Sequence, residues 1–275
     1  MGKEAATYSH GHHASVVNSH ARRTAQNSVG YLLPHIKPTD YILDVGCGPG
    51  TITVDMAQIA SQGHVLGIEA VPSVLDQARS VAAERGVTNV KFEGPVDANA
   101  LPYEDGTFDV VYCHQVLQHT SDPVGILKEM LRVTKPGGIV AARESVYRCF
   151  AWYPAHAGLD KWLELYNKNA ISNGGDPHAG QVLHTWARKA GFESEEVQST
   201  VTSWCYTGQQ AVQWANMWAD RALQSGYRKT AVEKNHASEE EVLEISKAWR
   251  EWGAMEDLWF TIPSSEILYR KPPVA

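Results

Sequence analysis

The sequence predicts an α/β protein: an open, mostly parallel sheet with helices on both faces, led by a helical segment and interrupted by a helical insertion before its last strand. Three observations predict it. Short apolar runs alternate with helix-length segments from Tyr41 to Ala142, the rhythm of strand, crossover helix and strand. A glycine cluster, Gly46-Cys47-Gly48-Pro49-Gly50, directly follows the first of these runs. All nine tryptophans fall after residue 150, so the second half of the chain has a different task from the first.

A chain of 275 residues is long enough for one large α/β domain with elaborations or for a domain plus a cap, and 43% hydrophobic with 20% charged residues excludes a largely disordered one. The formal charge of -7 repels phosphate backbones, so neither nucleic acid nor an anionic membrane is expected as the main partner. Cys47, Cys113, Cys149 and Cys205 show no metal-ligand spacing, as expected of reduced thiols. No apolar run approaches the length of a membrane span, and a soluble cytoplasmic protein is expected. Four histidines, His10, His12, His13 and His20, invite a metal. No acid or cysteine completes a first shell beside them, and no metal is expected.

Taken in order, a helix is expected from Ala14 to about Leu33, closed by Pro34 and Pro38. Tyr41 to Val45 reads as the first strand and Thr51 to Ile59 as the helix after the glycine turn. His64 to Ile68 is the second strand, Ser73 to Arg85 a helix, Val90 to Glu93 the third strand and Asp109 to Cys113 the fourth. Ile126 to Val133 follows the buried-helix pattern; Lys135-Pro136-Gly137-Gly138 stops it before a fifth strand, Ile139 to Ala142. Beyond it, helices are expected at Asp160 to Ala170, Gln181 to Ala190, Gln209 to Leu223 and Ser238 to Trp252. Strands are expected at Glu195 to Trp204 and Trp259 to Tyr269.

The chemistry concentrates at the first turn. Its glycines tolerate positive φ and carry no Cβ, so the backbone can lie flat against a ligand. A dinucleotide site would read G-x-G-x-x-G, but here Thr51 stands where the last glycine belongs. Asp44, at the strand end, would repel a pyrophosphate and suits a cation. Glu69 lies 25 residues further on, where an acid at the tip of the second strand can accept from both hydroxyls of a ribose.

Tyr41 to Thr53 resembles the first motif of class I S-adenosylmethionine-dependent methyltransferases. Asp97-Ala98, Leu101-Pro102 and Phe108-Asp109-Val110-Val111 resemble in the same order the branch related to the ubiquinone and menaquinone C-methyltransferases. The resemblance implies a Rossmann-like sheet of seven strands with an antiparallel last strand, and S-adenosylmethionine as cofactor. It implies one domain over 1–275, with an N-terminal lid at 1–36, a cofactor-binding half at 37–145 and a substrate half at 146–275 that includes a helical cap at 205–258. By it, Asp44, Gly46, Cys47, Gly48, Gly50, Glu69, Ala70, Asp97, Ala98, His114, Gln115 and the lid residue Tyr8 would hold the cofactor. Asp97 would accept from the adenine amino group.

For an oxygen nucleophile a histidine is the natural base, and His119, His12 and His114 are the catalytic candidates. Glu144, Trp152, Tyr153 and His156 are the substrate-facing candidates, with Arg143 beside Glu144 at the end of the fifth strand, around an apolar pocket for an aromatic or polyketide-like small molecule. Trp162, Trp186 and Trp249 are expected to be core. A nicotinamide-dependent oxidoreductase and a methyltransferase-like protein that binds the cofactor without transferring a methyl are the rival readings.

Overall fold

The computed structural model describes residues 23–273. Tyr8, His12 and the expected lid up to residue 22 lie outside the described residues. The described part of the expected first helix is not continuous. Thr24 is extended, with φ -123° and ψ 161°, and caps a four-residue helix α1 (Ala25–Ser28), because its hydroxyl accepts from the Asn27 N–H.

The sheet is built from β1 (Tyr41–Val45), β2 (His64–Ile68), β3 (Val90–Glu93), β4 (Phe108–His114), β5 (Thr134–Ser145), β6 (Ala151–Tyr153), β7 (Val197–Thr207) and β8 (Trp259–Arg270). Its order is β3-β2-β1-β4-β5-β8, with β7 along the outer edge of β8. The first five strands pair in parallel, and β8 runs antiparallel to both β5 and β7. The three-residue β6 continues the line of β5 along β8, pairing Trp152 with Phe260. Lys135 to Gly138 lie within β5 as an irregularity in its pairing with β4, where a separate turn was expected.

Crossover helices α2 (Thr51–Ile59), α3 (Leu75–Glu84) and α4 (Pro123–Val133) bury their apolar sides on the two faces of this sheet. One core joins Leu43, Val45, Val111 and Cys113 to Leu127 and Met130 of α4. The opposite core joins Ile42, Val110 and Tyr112 to Met56 of α2 and to Val29 and Leu32 of the N-terminal segment. Period-2 alternation along the strands therefore sorts polar groups too. Asp44, Tyr112, His114, Arg143 and Glu266 share the face roofed by the N-terminal segment, through the pairs Asp44–Tyr112, His114–Arg143 and Arg143–Glu266.

The cap consists of α5 (Ala157–Ser172), α7 (Gly208–Gln224), α8 (Gly226–Glu233) and α9 (Glu239–Gly253), while α6 (Ala179–Lys189) returns to the sheet. Ser238 and Glu241 close both halves of a capping box at the start of α9. The cap has its own core, in which Trp162, Trp218, Trp249 and Trp252 are all fully buried around Phe260. Among the described residues no helix is long and apolar enough to cross a membrane.

Candidate active site

The turn after β1 is fixed by its backbone. The Gly46 and Cys47 N–H groups both donate to the Ile68 carbonyl, at 2.8 and 3.0 Å, tying the turn to the end of β2. Gly46 has φ +74°, and a Cβ there would come within 2.5 Å of Val116 Cγ2, so only glycine fits. Gly48 has φ +52° and faces open space; a Cβ would meet nothing within 4 Å. The Glu69 carboxylate spans the gap. It accepts from Gly48 N–H at 3.1 Å with one oxygen and from Ala70 and Val71 N–H at 2.8 and 3.2 Å with the other. Turn, Glu69 and the end of β4 enclose a cavity of about 220 Å³.

Asp44 lines this cavity at its base and is almost wholly removed from solvent. Burial pushes its carboxyl up to about 7, Thr53 Oγ1 donating at 2.7 Å works the other way, and the nearby Glu69 charge raises it further. No cation pairs with it among the described residues. Because the Thr53 hydroxyl favours the ionised form, Thr53→Val is expected to move the Asp44 titration to higher pH. Carbon-13 NMR of the labelled carboxyl would follow it, and an unmoved or lowered midpoint would contradict this geometry.

The opposite wall carries His114, Gln115 and His119. His114 is buried; both ring nitrogens lack a hydrogen-bond partner, and burial together with Arg23 and Arg143 holds it well below the usual imidazole range. Burial and Arg23 push His119 down to about 3, so both rings are neutral at ordinary pH. Gln115 sits at φ +55°, a strained conformation for a side chain of this kind, with its carbonyl oxygen receiving Arg23 Nη2 at 2.5 Å and its amide donating to Ser145 Oγ.

Glu144 lies on the other face of the sheet from His114. It accepts N–H bonds from Val116, Leu117 and Gln118, at 3.0, 2.8 and 3.2 Å, and so holds the turn that presents His119. It is fully buried, away from the cavity, and burial pushes its carboxyl up to about 7.

The structure thus brings Asp44, Gly46, Cys47, Gly48, Glu69, Ala70, His114, Gln115 and His119 around one cavity. Gly50 packs away from it, where its Cβ would lie 2.7 Å from that of Ala78. Asp97 and Ala98 are outside the lining; the exposed Asp97 carboxylate accepts from the Asn99 backbone and side chain at 2.9 and 3.2 Å. The four substrate candidates do not meet there. Glu144 braces a turn, Trp152 stacks on Phe260 at 5.9 Å, Tyr153 is 60% exposed, and His156 caps α5 by accepting from Gly158 N–H at 3.1 Å. Trp186 lies half-buried against the sheet core. Sequence reasoning placed Arg143 beside Glu144 at the substrate edge of the fifth strand, but it did not single out Thr53, Tyr31 or Tyr112. The one available signal was a run of polar residues at strand ends on a single face.

The Methyltransferase domain family model matches residues 36–217. The chain belongs to that family. This methyltransferase is 33% identical over 273 residues to an uncharacterized methyltransferase of Schizosaccharomyces pombe, covering 96% of each chain. It is also 33% identical over 157 residues to the demethylmenaquinone methyltransferase of Lactococcus lactis, covering 54% of this chain and 57% of that one. In fold it resembles Haemonchus contortus phosphoethanolamine N-methyltransferase 2, solved with phosphomonomethylethanolamine and S-adenosylhomocysteine. That likeness has a TM-score of 0.51 at 16% identity, over 86% of this chain and 50% of the other, and it concerns the fold alone. The Rossmann-like sheet and antiparallel last strand of the methyltransferase are those its motifs implied.

Proposed function

We propose that the cavity beside the first turn holds S-adenosylmethionine and that its methyl group passes to a small, aromatic or apolar organic molecule. The carrying observation is Asp44: a buried carboxylate with one hydroxyl partner and, among the described residues, no cation, at the wall of a cavity of about 220 Å³. A ligand bearing an ammonium and a sulfonium supplies the missing positive charge. The open side of Gly48 and the unpartnered nitrogens of His114 also fit a ligand that is both close to backbone and polar.

When bound, this cofactor supplies a methyl group on positively charged sulfur, ready for in-line attack. The protein supplies placement. Glu69 keeps acceptor capacity for ribose hydroxyls beside its three N–H bonds, and the glycine turn lets the ligand lie against backbone. Asp97, on the loop after β3, would reach adenine from outside the lining described above. His114 and His119 are neutral and so able to accept a proton, but the depression of both makes them weak bases. The residues therefore favour alignment in a dry pocket over strong general-base catalysis.

Incubation with S-adenosylmethionine labelled in its methyl group, against phenols, amines, thiols and carbon acids, tests the reading. A labelled product and an equal amount of S-adenosylhomocysteine are expected. Binding of the cofactor with no labelled product from any class would favour a protein that only binds it.

A further inference from the structure

Beside the cavity, on the face of the sheet that carries Asp44, a row of buried polar groups continues beyond His114. Arg143 is completely buried; its Nε donates to Glu266 at 3.2 Å and to Thr202 Oγ1 at 3.3 Å, but both terminal nitrogens lack hydrogen-bond partners. His114, its neighbour across the parallel pair of β4 and β5, has both ring nitrogens unpartnered and lines the cavity. The hydroxyls of Tyr112, two residues back on β4, and of Tyr31 in the roof are buried and unpartnered as well. Tyr31 lies close enough to Arg143 and Glu266 to feel both charges.

The balance of donors and acceptors is lopsided. Glu266, the one carboxylate in the row, is already taken by Thr200 at 2.7 Å, by Thr202 and by Arg143. What remains open is a guanidinium fork, two phenolic hydroxyls and an imidazole, a set rich in donors. The fork is also held in place, since its carbon lies 4.6 Å from the centre of the Trp204 ring, whose Nε1 is anchored on the Asn27 carbonyl at 2.7 Å. Arg23 lies over the same ring at 5.2 Å and adds a second positive charge to this wall. Buried donors left open in this number mark a place where a ligand supplies the acceptors.

We propose that the methyl acceptor is bound through an anionic oxygen, of a carboxylate or an ionised phenol or enol, received by the Arg143 guanidinium beside His114. The proposal rests on the methyltransferase reading and deepens it by naming the substrate class. Trp204, packed against the edge of the cap core, serves there to fix the guanidiniums.

The test uses full-length protein saturated with S-adenosylhomocysteine and calorimetric titration at pH 8 with two pairs of probes. Benzoate against benzamide reads the carboxylate, and 4-nitrophenolate against 4-nitroanisole reads the phenolate. At least one anion is expected to bind tenfold or more tighter than its neutral partner. Arg143→Gln should abolish that preference while keeping S-adenosylhomocysteine affinity, and Tyr31→Phe, which removes only a hydroxyl, should reduce it severalfold. Should Arg143→Gln fail to fold, Tyr31→Phe decides. Neutral probes binding as tightly as anions, no anion binding at all, or a preference untouched by the variants would overturn the proposal. Failure of S-adenosylhomocysteine itself to bind would instead bring down the methyltransferase site.

Discussion

Asp44→Asn is expected to weaken S-adenosylmethionine binding at pH 8 by roughly 1.5–3 kcal/mol, about ten- to a hundredfold in Kd, because it removes the charged partner and keeps the shape. The same variant is expected to be more stable than the wild type without ligand. The sign follows from the direction of the titration. Below the unfolded chain's value near 4 the carboxyl is protonated in both states and costs nothing. As pH climbs from there to about 7, the unfolded chain gives up this proton while the folded carboxyl keeps it, so stability falls over that window, and above it the folded state holds an ionised carboxylate in a buried place. At 1.36 kcal/mol per unit the recovery in the asparagine variant reaches at most about 4 kcal/mol above pH 7. Thermal melts at pH 5 and pH 8 check it: the two proteins should match at pH 5 far more closely than at pH 8. A variant that melts lower at pH 8, or binds the cofactor as well as wild type, would contradict the assignment.

Trp249→Ala is expected to cost about 3–5 kcal/mol of folding stability, the range for deleting a fully buried large aromatic. Its ring meets Trp162 edge-on at 4.9 Å and lies parallel to Trp218 at 6.0 Å, so its removal opens a cavity inside the cap core. Trp259, 38% exposed, provides the contrast: its alanine variant should lose less than about 1 kcal/mol. Urea denaturation of both variants reads the difference. Equal losses would mean that the cap is not organised by this cluster. The comparison also separates two uses of tryptophan in one chain, since Trp204, packed against the edge of the cap core, has guanidiniums over its ring at the site.

How far the sequence carried these conclusions differs from place to place. The parallel strands were legible because each is a short apolar run between turn residues, and β1, β2 and β3 fall where those runs predict. The glycine turn was legible for the same local reason: positive φ and close approach leave few choices of residue. The capping-box spacing of Ser238 and Glu241, with Val242, Ile245, Trp249 and Trp252 at helix period, announced α9. By contrast β6 is three residues long and gains its pairing from β8, more than a hundred positions away, so no local pattern marks it. The helix α8, GYRKTAVE, has too weak an apolar rhythm to stand out from the connecting segment around it.

At the site, residues on the first turn and at the second strand's tip could be named because one crossover separates them. Arg143 could be placed at the substrate edge, but its pairing with Thr202 and Glu266 could not, since sheet register brings together groups 59 and 123 positions apart. Glu144 shows the reverse error. Its place at a strand end suggested contact with substrate, but alternation turns it to the face opposite Arg143, where three backbone N–H groups of the following turn claim it.

The proposed function stands on a buried, uncompensated carboxylate at the end of β1 receiving the positive charge of the methyl donor. Calorimetry of S-adenosylmethionine binding between pH 6 and 7.5, repeated in buffers of different ionisation enthalpy, tests it most directly. Wild-type protein should release up to one proton per cofactor bound near pH 6 and bind severalfold more tightly by pH 7.5, as a carboxyl starting at about 7 gives up its proton to the incoming cation. Asp44→Asn should lose both the proton release attributable to the carboxyl and the rise in affinity. Wild-type binding that neither releases that proton nor strengthens over this range, and so matches the variant, would contradict the claim.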